Sequence, residues 1–71
     1  MSAKFPRMGS MEVVHLLKVN GFVEKRQTGS HLIFFHPIMR IAVPVPMGRK
    51  DLPIGTLRAI FKSAEITVER Q

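Results

Sequence analysis

Arg26-Gln27-Thr28-Gly29-Ser30-His31-Leu32-Ile33-Phe34-Phe35-His36-Pro37 is the stretch whose reading decides the fold. Phe22 to Gln27 mixes β-formers with charges, Thr28-Gly29-Ser30 supplies turn chemistry, and His31 to His36 resumes as an aromatic, apolar strand that Pro37 ends. This pattern predicts a β-hairpin. Arg40-Ile41-Ala42-Val43 reads as a third strand, and the prolines of Pro44-Val45-Pro46 forbid its extension as a central strand because proline has no N–H to give to a ladder. Met47-Gly48-Arg49-Lys50-Asp51 is a basic loop.

Helical patterns flank the strands. Residues 1–9 carry Pro6 and Gly9 without periodicity and read as a loose basic lead-in. Ser10 is positioned as a helix cap. From about residue 11 to 20, Val13, Val14, Leu16, Leu17 and Val19 make an apolar stripe, Glu12 sits in the first turn, and Asn20-Gly21 stops the helix. Pro53 precedes a second helix over about 54–64, in which Leu57, Ile60, Phe61 and Ala64 follow i, i+3, i+4, i+7 and Arg58 and Lys62 fall on the other side. A further turn capped by Thr67 is expected within residues 66–71. The order α-β-β-β-α predicts an α+β two-layer sandwich: a three-stranded antiparallel sheet with both helices on one face and the other face open. Double-stranded-RNA-binding domains share that order and layering.

At 71 residues the chain reads as one domain, 1–71, near the lower limit for a single unstapled core. It has no cysteine, so disulfides and thiolate metal sites are excluded and the reducing cytoplasm is the expected compartment. Its apolar runs are too short to cross a bilayer, so no membrane partner is expected. Eleven Lys and Arg against five Asp and Glu, a net charge of +6 and a pI near 11.0 argue for a polyanionic partner, because clustered positive charge gains free energy by releasing phosphate counterions.

Strand alternation puts His31, Ile33 and Phe35 on one face and Leu32, Phe34 and His36 on the other. If Leu32 and Phe34 join Ile41 and Val43 under the helices, His31 stands on the open face beside an exposed Ile33–Phe35 pair; the reversed register makes His31 a partly buried structural residue. An imidazole can take or give a proton near neutral pH, so an exposed His31 could deprotonate a ribose 2′-OH for attack on phosphorus without a metal. Arg26, Lys50, Arg58 and Lys62 are available to steady charge on the phosphate oxygens. His36 falls on the opposite face and reads as a cap on the strand end, and His15 as a helix-surface residue. No metal site is expected, since the three histidines lie on different elements or faces and the five acids are scattered. Gly48 and Gly55 form no phosphate-cradling loop. A Ser30-His31-Asp51 triad is disfavoured because adjacent strand residues point to opposite sides.

Val13-Val14-His15-Leu16-Leu17 leading to Asn20-Gly21-Phe22, Gly29-Ser30-His31 with Phe34 and His36-Pro37, Val43-Pro44, and Lys50-Asp51-Leu52-Pro53-Ile54-Gly55-Thr56-Leu57-Arg58 together resemble the HicA family of toxin components. These are small mRNA interferases of type II toxin–antitoxin pairs, and the likeness runs from about Ser10 to Ile66. It implies a double-stranded-RNA-binding-like fold, metal-independent and cofactor-independent cleavage of mRNA, and neutralisation by a HicB-type antitoxin. The essential histidine of the family falls on His31. Beside it, the residues themselves offer Arg26, Lys50, Arg58 and Lys62 by charge and Gly29 and Ser30 by their place before His31 as RNA contacts, and the apolar pair Ile33 and Phe35 as anchors for the antitoxin. Many relatives carry another histidine where this chain has Val45, Pro46, Met47 and Gly48, and Glu65 replaces a usual glycine after the last helix. A non-catalytic RNA-binding module, and a protein-interaction domain using Ile33 and Phe35, are the rival readings.

Overall fold

The computed structural model describes residues 7–67. The order is α1 (Ser10–Val19), β1 (Val23–Thr28), β2 (His31–His36), β3 (Ile41–Pro46) and α2 (Ile54–Ala64). The strands form one antiparallel sheet in the order β1-β2-β3. This is the α-β-β-β-α sandwich expected. Gly29 takes φ 58° at the first position of the two-residue hairpin loop, where primed turns need a residue without Cβ.

Register decides which face is buried. Leu32 lies opposite Val45 and Phe34 opposite Val43, and all four are buried with Val13, Leu17, Phe22, Leu57, Ile60 and Phe61. His31, Ile33 and Phe35 lie opposite Pro46, Pro44 and Ala42 on the other face. The helices cover β2 and β3, whereas every residue of β1 is exposed and none joins the core. On α1 the stripe holds at Val13, Val14 and Leu17; Leu16 is half-buried, and Val19 is 67% exposed because it has turned past the sheet-facing side. Among the described residues no helix is long and apolar enough to cross a membrane.

The ends of the elements differ from expectation in three places. Gly9, not Ser10, is the N-cap of α1; its N–H donates to Glu12 Oε1 at 2.7 Å, the return arm of a capping box. The Ser10 hydroxyl instead donates to the Pro46 carbonyl at 2.6 Å and accepts the Arg49 N–H at 3.1 Å. It is buried and ties α1 to the end of β3. The lead-in is anchored where the structure describes it, since the Leu52 N–H donates to the Met8 carbonyl and the Ser10 N–H to that of Arg49. The third strand also runs on through both prolines. It can do so because β3 is an edge, and Pro44 and Pro46 sit where a strand residue would aim its N–H away from β2. Residues 1–6, and the part of the expected Thr67 turn over 68–71, lie outside the described residues.

Both helices end in Schellman geometry. At α1, Phe22 N–H reaches the Leu17 carbonyl and Gly21 N–H that of Lys18, with Gly21 at φ 93°. At α2, Ile66 N–H reaches Phe61 and Glu65 N–H reaches Lys62, but the left-handed position holds Glu65 at φ 57°. A β-carbon there costs on the order of 1 kcal/mol. Glu65→Gly is expected to raise stability by about that amount, read as a Tm increase of roughly 4–8 °C in thermal unfolding; an unchanged Tm would show that Glu65 is not strained.

Candidate active site

His31 opens β2, is exposed, and projects from the sheet face away from the helices. Thr28 lies opposite it on β1 and Pro46 on β3. The Met47 N–H donates to the Ser30 carbonyl at 2.8 Å, so both neighbouring chain segments are pinned where the imidazole emerges. A groove of about 430 Å³ runs from His31 around the free edge of β3 to α2. Val43 and Ile60 form its floor, and its α2 wall carries Gly55, Thr56, Ala59 and Ser63.

The expected basic residues divide. Arg26 lies opposite Ile33, on the His31 face, and is a diagonal neighbour of His31 at roughly 7–8 Å, within reach of a long side chain. Lys50 is exposed in the loop that leaves β3 just after Pro46. Arg58 and Lys62 do not line the groove. Helical periodicity puts Lys62 about 20° and Arg58 about 60° around the helix from Gly55, so both stand beside the groove-lining residues without lining the groove. Gly29 and Ser30 form the loop immediately before His31.

The Ile33–Phe35 pair is half-buried rather than fully exposed. A bulge between Glu24 and Arg26 sets Lys25 off the ladder, and its ammonium rests 4.6 Å from the centre of the Phe35 ring. The open face is therefore an apolar strip of Ile33, Phe35, Ala42 and Pro44 bordered by Lys25 and Arg26.

The other histidines have different work. His36 Nδ1 accepts the backbone N–H groups of Met39 at 3.0 Å and Ile38 at 3.3 Å, which caps the β2–β3 turn and leaves the proton of the neutral ring on Nε2. Its ring meets Phe22 edge-on, with centroids 5.0 Å apart. A side chain at Gly21 would fall 2.8 Å from His36 Nε2. Five strand steps separate His31 from His36, roughly 17 Å at about 3.4 Å per residue, so the two imidazoles cannot share one phosphodiester. His15 is exposed on α1 in a separate hollow with Met8, Met11 and Leu16. The Asp51 carboxylate pairs with Arg7 at 3.2 Å on the surface. Among the described residues no group of three or more His, Cys, Asp or Glu side chains could hold a metal ion.

The groove residues on α2 carry no charged group, and charge points only to their neighbours Arg58 and Lys62. The available signal was spacing: Gly55, Ala59 and Ser63 recur at i, i+4, i+8, a line of small residues along one helix face. None of the curated proteins matches the chain. The model of the family described as "HicA toxin of bacterial toxin-antitoxin" matches residues 10–66, a span that runs from α1 through the His31 hairpin to the C-terminal cap of α2. With its fold and its histidine hairpin inside that match, the chain belongs to the HicA toxin family of bacterial toxin–antitoxin systems.

Proposed function

We propose that this toxin is an mRNA endoribonuclease that works through the single imidazole of His31. The observation that carries the reading is the isolation of that imidazole: exposed at a pinned strand start, beside Arg26, at the mouth of a groove. His31 takes the proton of a ribose 2′-OH, and the 2′-oxygen attacks the adjacent phosphorus. The bond from phosphorus to the 5′-oxygen breaks, that oxygen takes a proton from water, and the hydroxide so left takes the proton that His31 holds. Arg26 and Lys50 steady the charge that builds on the non-bridging oxygens. The products carry a 2′,3′-cyclic phosphate and a 5′-hydroxyl, so atoms and charge balance without a cofactor.

The test is cleavage of a transcript by the purified protein in excess EDTA, together with growth arrest on expression. Undiminished cleavage supports the reading. RNA binding without cleavage would identify a non-catalytic RNA-binding module.

Inhibition by a HicB-type antitoxin follows from the same surface. The apolar strip with its basic border suits an acidic protein that covers His31 while burying Ile33 and Phe35. Phe35→Ala is expected to fold and to cleave RNA, but to lose on the order of 2 kcal/mol of antitoxin binding, roughly 30-fold in Kd. Calorimetry of the two purified proteins measures this; wild-type affinity would place the antitoxin elsewhere.

A further inference from the structure

The fold does not account for Gly55. Its backbone is outside the left-handed region, a β-carbon would meet nothing within 4 Å, and glycine is a poor helix former. Gly9, by contrast, is enclosed by the backbone of residues 49 and 50. A glycine that the chain does not need is explained when something else must come close to it. Gly55 lines the groove that begins at His31.

The lining of that groove says what enters. Apart from the His31 imidazole at its mouth it holds no charged or ionisable side chain. Pro44 and Pro46 give flat, apolar surfaces without N–H groups, and the hydroxyls of Thr56 and Ser63 can each donate and accept a hydrogen bond. At about 430 Å³ it falls within the size range of small-molecule sites. These properties suit the uncharged part of a nucleotide, with its phosphates left outside toward Arg26.

We infer that this groove receives the base and ribose of one unpaired nucleotide, flanking the bond that His31 opens, and so restricts the toxin to single-stranded RNA. The inference rests on the ribonuclease reading of His31. A base held in a duplex is stacked and paired, and it cannot enter a recess between a strand edge and a helix. An unpaired base can be splayed out to fill it. The likeness of the fold to double-stranded-RNA-binding domains thus extends to the layering, while the RNA that this groove accommodates is different.

Binding can be tested apart from cleavage. The ¹⁵N-labelled protein is titrated with RNA trinucleotides of mixed sequence whose first and central riboses both lack the 2′-OH, and separately with an RNA duplex of ten base pairs. The inference expects the amides of Thr56, Ala59 and Ser63 to shift with His31 on adding trinucleotide and to stay in place with duplex. Gly55→Met and, independently, Ala59→Met, both filling the groove from exposed backbone, are expected to raise the trinucleotide Kd at least tenfold while keeping the wild-type spectrum elsewhere. Groove amides that do not move, or wild-type affinity in either folded variant, overturn the inference. Those results are independent of catalysis: failure of the wild type to cleave unmodified RNA overturns the ribonuclease reading, whereas the titration alone decides the groove.

Discussion

His31→Ala is expected to lower RNA cleavage by about 10³-fold, the usual contribution of a positioned general base, without changing the fold. His31 is exposed and joins no core contact, so its truncation falls in the class of surface changes worth within about 0.5 kcal/mol of stability. His36 provides the contrast. Its Nδ1 holds two backbone N–H groups and its ring packs on Phe22. His36→Ala is therefore expected to lower Tm and to leave the cleavage rate per folded molecule unchanged. Cleavage assays normalised to folded protein, with thermal melts alongside, separate the two histidines. A His31→Ala protein that cleaves at the wild-type rate would remove the imidazole from the chemistry.

The second large effect is structural. A β-carbon at Gly9 would collide with the carbonyl oxygen of Lys50 and lie 2.7 Å from that of Arg49. Both are backbone atoms, so no side chain can swing aside. Gly9→Ala must push α1 away from the 49–52 segment and strain the bonds from Ser10 N–H to Arg49 and from Leu52 N–H to Met8. The Ser10 hydroxyl, bridging Pro46 and Arg49, moves with them. We expect a loss on the order of 3 kcal/mol, roughly 15 °C in Tm, seen in thermal or urea unfolding. A loss below about 0.5 kcal/mol would mean that this contact yields freely.

The parts of the fold that were legible in the sequence are those set by local physics. The α2 stripe of Leu57, Ile60, Phe61 and Ala64 is buried as its spacing demands, and Asn20-Gly21 ends α1 because glycine can adopt the left-handed turn there. The Gly29-Ser30 loop fixed the start of β2 at His31. What was not legible depends on partners far along the chain. Ser10 looks like a cap until Pro46, 36 residues away, offers its carbonyl. Pro44 and Pro46 look like a strand end until the sheet order makes β3 an edge. The bulge that sets Lys25 over Phe35 has no sequence mark of its own.

The candidate site divides along the same line. His31 stood out because its residue type has a chemistry and its hairpin has a signature. Its exposure still depended on register, which the burial of Leu32 and Phe34 against α1 and α2 decides. Arg58 and Lys62 stand out by charge, and on α2 they border the groove without lining it. The groove exists only where α2 crosses the edge of β3, a juxtaposition that no local pattern encodes.

The most direct test of His31 as the base at the ribose 2′-OH is the chemistry of the cut ends. RNA digested by the purified protein in excess EDTA is expected to carry 2′,3′-cyclic phosphates on its upstream fragments and 5′-hydroxyls on its downstream ones. Fragments ending in 3′-hydroxyl and 5′-phosphate would mean that water, not the 2′-oxygen, attacked phosphorus, and would contradict the account.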